Sequence, residues 1–233
     1  MHKWNSGTKK HRCATQISFA RGFDGAIREI PGIFSYAIAA QAKEINAFWD
    51  STDLARLGIA RFVVRPDGTK VVHWGPFSVK TSSGTRLIDF DMTINRAKLI
   101  LWTAIALGSM YTWISDQVGS KPLLSLLCDR LPGDCNGLGL SVIVYMLSSI
   151  AGDRITLQVK PSHDHGPDND AEFLSDCIAT WARDYLEHPG STTAQALQRL
   201  FDDPDVANRF QLRRNHQLHP PTTTAARVNP LPT

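Results

Sequence analysis

Three residue types that together carry out nucleophilic acyl chemistry occur in this chain in a definite order. His73 stands in KVVHWGPFSV, Asp89 and Asp91 stand in TRLIDFD, and Cys135 stands in GDCNGLGL. A thiolate attacks a carbonyl carbon, an imidazole takes the thiol proton and returns it to the leaving group, and a carboxylate orients the imidazole. Asp89 and Asp91 are two residues apart, so on a strand they share a face, and either of them fits the orienting role. The first amides of a helix that opens at the cysteine would help to hold the oxyanion.

Two elements have to position these groups. From Leu138 to Ile150 the residues are apolar on nearly all sides, which is the pattern of a helix buried inside a domain and too short to span a bilayer. Pro132, Gly133 and Asp134 form a turn before it, with Asp134 as N-cap, which puts Cys135 in the first helical turn. Unpaired amides and the helix dipole favour a thiolate there, whereas the Asp134 charge opposes it. Free cysteine is also one of the most commonly buried residue types, so a plain core thiol is the competing reading.

The second element is a β-meander. Ile59 to Val64 and Lys70 to Val79 are strand-like runs on either side of Pro66-Asp67-Gly68, a strong turn signal, and Thr85 to Asp91 follows as a third strand. Period-two alternation gives Val71, His73, Gly75, Phe77 and Val79 a common face, with Trp74 packing on the other. His73 then lies among apolar residues, where a core histidine bonded to a backbone carbonyl competes with the catalytic reading. Pro76 cannot donate to a ladder, so the strand is expected at a sheet edge or with a bulge beside the histidine.

Residues 1–13 read as a flexible arm, 14–160 as the main domain, 161–212 as a helical extension and 213–233 as a disordered tail. Within the main domain, Ala14 to Ala20 reads as a strand. Phe34 to Leu57 reads as one long helix carrying Ile38, Ile45, Phe48 and Trp49, ended by Gly58. Asn95 to Gln117 reads as a second helix. Its apolar centre, Leu99 to Ile114, falls short of the roughly 20 residues of a membrane span, and a buried helix is expected. Gly119 to Cys128 reads as a short helix with Pro122 in its first turn, and Arg154 to Val159 as a strand. In the extension, Ala171 to Leu186 and Thr192 to Leu200 read as amphipathic helices.

The chain has 233 residues, 42% hydrophobic and 20% charged, with a formal charge of +3, which fits one sizeable core and calls for no nucleic-acid partner. Cys13, Cys128, Cys135 and Cys177 show no CxxC spacing, and the polar N-terminus has no secretory apolar stretch. A reducing, cytoplasmic setting is expected. His163 and His165, with Asp164, Asp168 and Asp170 nearby, read first as an exposed loop. A zinc site through Cys128, Cys135 and the two histidines is the minor reading, because the spacing matches no metal module.

VVHWGPFSV, then RLIDFDMT, then GDCNGLGLSVIVYML resembles the permuted papain-like superfamily, which includes the PPPDE peptidases and the lecithin:retinol acyltransferase-like proteins. It is also similar to fungal domains with a His-Trp strand, an Asp-Met strand and a late Gly-Cys helix. The resemblance covers roughly 59–159. It implies an α+β fold, a mainly antiparallel sheet packed against helices, with His73 as the strand histidine and Cys135 as the helix cysteine. The chain departs from the PPPDE motif Asn-Cys-Asn with Asp134-Cys135-Asn136, and from the acyltransferase-like pattern in having aspartates where a second histidine stands. The activity implied is that of an intracellular thiol hydrolase or acyl/amide transferase, acting without a cofactor or metal on an acyl or amide substrate. A non-catalytic binding module of the same fold, with a protein partner and no membrane, is the reading from the other class. The glycines Gly137 and Gly139 favour it, since each weakens a helix by about 1 kcal/mol relative to alanine.

Overall fold

The computed structural model describes residues 35–81, 84–128, 137–152, 154–159 and 182–214. The chain divides into two compact units, one made of residues 40–162 and 216–233, the other of 1–39 and 163–215. The fold is α+β.

The larger unit holds the meander. β2 (Ala60–Val64), β3 (Lys70–Thr81) and β4 (Gly84–Thr93) form an antiparallel sheet in that order, as the turn chemistry predicts. The Arg65-to-Thr69 connection is closed by local bonds. Gly68 N donates to Arg65 O at 2.9 Å, Arg65 N donates to Thr69 O at 2.9 Å, and the Asp67 carboxylate accepts from Thr69 N at 2.9 Å. Gly68 adopts a φ of 81°, so the Pro-Asp-Gly sequence supplies both the rigid start and the left-handed end of this turn.

Two helices cover one face of the sheet. α2 (Ile94–Val118) buries Ala97, Ile100, Leu101, Ala104, Gly108 and Tyr111, an i, i+3, i+4, i+7 stripe, and stops at Gly119, whose φ is 65°. At 25 residues it is long and apolar enough to cross a membrane by length and composition, so the shortness expected from the sequence does not hold. Its buried stripe is part of the core. α3 (Leu138–Ala151) is buried along most of its length, as its apolar sequence requires. The two helices meet closely at Gly108, where a Cβ would stand 3.1 Å from Ile150 Cδ1. Leu140, Val142, Ile143 and Leu147 from α3, Ile100, Leu101 and Tyr111 from α2, and Val72, Trp74 and Ile88 from the sheet form one cluster. Fully burying a large side chain is worth about 1.5–3 kcal/mol each, so this cluster dominates the stability of the unit.

Several expected elements are different. Phe34 to Leu57 is no single helix. β1 (Ser35–Ala39) is a strand, α1 (Ala42–Asp50) is a short helix, and a 3-10 turn covers Leu54–Leu57 before Gly58 at a φ of 68°. The expected stripe spans these breaks, and of Ile38, Ile45, Phe48 and Trp49 only Trp49 is buried. The Gln41 amide donates to Glu44 Oε2 at 2.6 Å, a local cap that starts α1 at Ala42. The short helix expected at Gly119 to Cys128 is replaced by β5 (Leu124–Cys128), which runs parallel to β6 (Ile155–Val159). A parallel partner 31 residues away leaves no local signal.

In the smaller unit, residues 182–187 are helical, followed by α4 (Thr192–Asp202), α5 (Pro204–Ala207) and β7 (Phe210–Arg214). Ser191 caps α4 by accepting from Ala194 N at 3.1 Å. Tyr185 stacks near Phe201, with ring centroids 5.5 Å apart, and its hydroxyl donates to Gln198 Oε1 at 2.8 Å. β7 pairs in parallel with β1, and Ile38↔Arg213 and Ala39↔Arg214 are two of its five register pairs. Arg213 and Arg214, expected in the tail, are thus strand residues, and the strand near residue 35 belongs with the C-terminal unit. The expected arm, the strand at Ala14 to Ala20 and most of the helix at Ala171 to Leu186 lie outside the described residues.

Candidate functional site

His73 sits near the start of β3, the central strand, whereas Pro76 had pointed to an edge or a bulge. The bulge is there. Trp74 pairs with Phe90 and Phe77 pairs with Ile88, so Gly75 and Pro76 together oppose Asp89 alone. An extra residue reverses which side chains point inward. Val72 and Trp74 face the helices before the bulge, and Phe77 and Val79 face them after it. The common face expected for Val71, His73, Gly75, Phe77 and Val79 is therefore split. His73 projects from the outer face of the sheet, away from the core, and its cross-strand neighbours Arg61, Asp91 and Asp89 are charged.

Both aspartates reach it. Asp91 is the register partner of His73, and its Oδ1 lies 3.0 Å from the ring Nδ1. Asp89, the diagonal neighbour on the same face, places its Oδ1 3.1 Å from Nε2. Each of the two carboxylates between which the sequence left the choice open thus lies beside one ring nitrogen. Their surroundings differ. Asp91 also accepts from Arg65, whose Nε and Nη2 each lie 3.1 Å from Asp91 Oδ2. Asp89 has no other contact of this kind among the described residues, and its side chain is 52% exposed against 28% for Asp91 and 16% for His73. Arg61 is the register partner of His73 on β2 and is exposed.

Arg65 follows β2, while Asp91 stands on β4, so the guanidinium spans the outer face of β3 to reach it. Val71, the outer-face neighbour of His73, is only 2% exposed. Sequence reading missed Arg65. The signal was its position at the first residue of the hairpin connection, where a long cationic side chain overhangs the next strand.

The Asp91 carboxyl is held below the ordinary carboxylate range, first by its hydrogen bond from His73, with Arg65 adding to the effect and partial burial opposing it. Its folded pKa is depressed. The stability it contributes is therefore fully present above the ordinary value of 3.8 and is lost as the pH falls from there through the lower folded value. We expect the urea midpoint to fall as the pH drops below about 4, and Asp91→Asn to make that fall smaller. An identical drop in the variant would show that other carboxylates carry the acid sensitivity.

Cys135 lies outside the described residues. α3 opens at Leu138 with Gly137 as its N-cap, at a φ of 69°, so Asp134 does not cap it. The helix packs on the inner face, where Tyr145 meets Phe77 at a ring-centroid distance of 4.3 Å. The helix that follows Cys135 and the imidazole of His73 are thus on opposite faces of one sheet. His163, His165, Asp164, Asp168, Asp170, Cys13 and Cys177 also lie outside the described residues, and nothing is described of the Cys128 side chain. Among the described residues, no group of three or more histidine, cysteine or acidic side chains is placed to hold a metal ion. No protein-family model, curated protein or solved structure matches this chain.

Proposed function

We propose that this chain is a non-catalytic interaction module whose recognition surface is the outer face of the meander around His73. The observation that supports it most is that both ring nitrogens of His73 are already engaged by carboxylates, at 3.0 and 3.1 Å, on the face opposite α3. A general base for a thiol needs one nitrogen open and within about 3.2 Å of the sulfur. An imidazole spanned by two aspartates instead forms a fixed array of charge: Arg65, Asp91, His73 and Asp89 in a row with Arg61 beside it. Such an array suits reading of a partner's polar groups.

One observation favours a second reading. The Asp91 contact at Nδ1 is the orienting half of a thiol triad, so a permuted papain-like hydrolase or acyl/amide transferase remains as the alternative, with Cys135 approaching Nε2 once Asp89 has moved aside. Iodoacetamide labelling of the native protein at about pH 6.5, followed by peptide mapping, separates the two. For an interaction module, His73→Ala leaves the labelling rate of Cys135 unchanged. Labelling of Cys135 well ahead of Cys13, Cys128 and Cys177, slowed about tenfold or more by His73→Ala, would overturn the module and put the thiol enzyme first.

A further inference from the structure

A neutral imidazole donates through one nitrogen and accepts through the other, so it satisfies two carboxylates only while it is protonated. When the ring is neutral, one aspartate loses its donor. The surroundings of the two aspartates decide which one. Asp91 is gripped on its other oxygen by the Arg65 Nε and Nη2 and its side chain is less exposed than that of Asp89, so it stays in place as an acceptor for Nδ1–H. Asp89 has half its side chain in solvent and only the Nε2 contact among the described residues. The remaining charged group facing the ring, Arg61 on β2, offers no acceptor and cannot replace either aspartate.

We infer that Arg65 is a positioning residue that, through Asp91, fixes the proton of neutral His73 on Nδ1, and that Nε2 is the nitrogen at which the site exchanges Asp89 for a hydrogen-bond donor of a partner or substrate. The class of group taken is an N–H, O–H or S–H donor, because the neutral ring presents a lone pair at Nε2. Arg65 controls the site from a distance, by holding the carboxylate that selects the tautomer. The assignment concerns the ring itself and holds whether the site binds or reacts, so it goes beyond the function proposed above.

Long-range ¹H–¹⁵N NMR of the ring nitrogens, on the full chain labelled at histidine, reads the tautomer directly, and loss of signals in His73→Gln assigns them. With the ring neutral, the wild-type protein is expected as the Nδ1–H tautomer, with the pyridine-type signal at Nε2. Asp89→Asn leaves that pattern in place. Arg65→Gln moves the population towards Nε2–H, since Asp91 is then free to turn away, and Arg65→Lys, which keeps the charge without the fork, moves it part of the way. A wild-type ring with its proton on Nε2 would overturn the assignment without any variant. So would an Arg65→Gln protein whose amide spectrum is native and whose His73 tautomer is unchanged. Cys135 labelling reads a different residue, so the tautomer result and the functional proposal fail independently.

Discussion

Replacing Gly75 with alanine destabilises the larger unit by about 3 kcal/mol or more, the largest effect expected of any single methyl group added to the meander. Two causes act together. Gly75 has a φ of 116°, a conformation that residues with a Cβ rarely adopt, and a Cβ there would stand 2.3 Å from the Ile88 carbonyl oxygen and 2.9 Å from Asp89 Cα. Both obstacles are backbone atoms of the paired strand, so relief requires the ladder itself to open. The Gly75 amide is committed as well, donating to Ile59 O at 2.9 Å. Gly58 provides the control, because its φ is 68° and nothing lies within 4 Å of its Cβ position. Gly58→Ala is expected to cost about 1 kcal/mol, the conformational term alone. Urea unfolding of both variants measures the difference, and a Gly75→Ala cost no greater than that of Gly58→Ala would mean that the bulge is not built as described.

The second large effect comes from the neighbouring pair His73 and Trp74. Trp74 is fully buried against the helices, and Trp74→Ala is expected to cost about 3–5 kcal/mol, the range for deleting a large aromatic from a packed core. The indole Nε1–H has no hydrogen-bond partner among the described residues, which subtracts a little from that cost, since its loss relieves an unsatisfied donor. His73→Ala is expected to cost about 1 kcal/mol or less, because its two ionic contacts lie on a partly solvated face. Adjacent residues thus differ severalfold in stability effect, by the parity of one strand. Comparable losses at both positions would place His73 in the core after all.

Read as sequence, the chain determined what depends on near neighbours. Pro66-Asp67-Gly68 fixed the β2–β3 hairpin because those residues set the backbone angles of a turn without outside help, and the register then placed Arg61 beside His73. Leu138 to Ile150 read as a buried helix because no polar stripe was left to face water. Asp89 and Asp91 read as a pair on one strand face for the simple reason of period two.

What the tertiary structure decided was everything set by partners distant in the chain. β1 is a strand because β7 lies beside it, although its sequence continues a helical spacing, and β5 is a strand because β6 does the same. The bulge at Gly75 and Pro76 shifted alternation by one residue, which turned Trp74 inward and His73 outward, and a local reading that carried one face across Pro76 could not detect the shift. The reach of Arg65 across β3 onto Asp91 also needed the assembled sheet, since the two residues stand on either side of a strand that only folding puts between them.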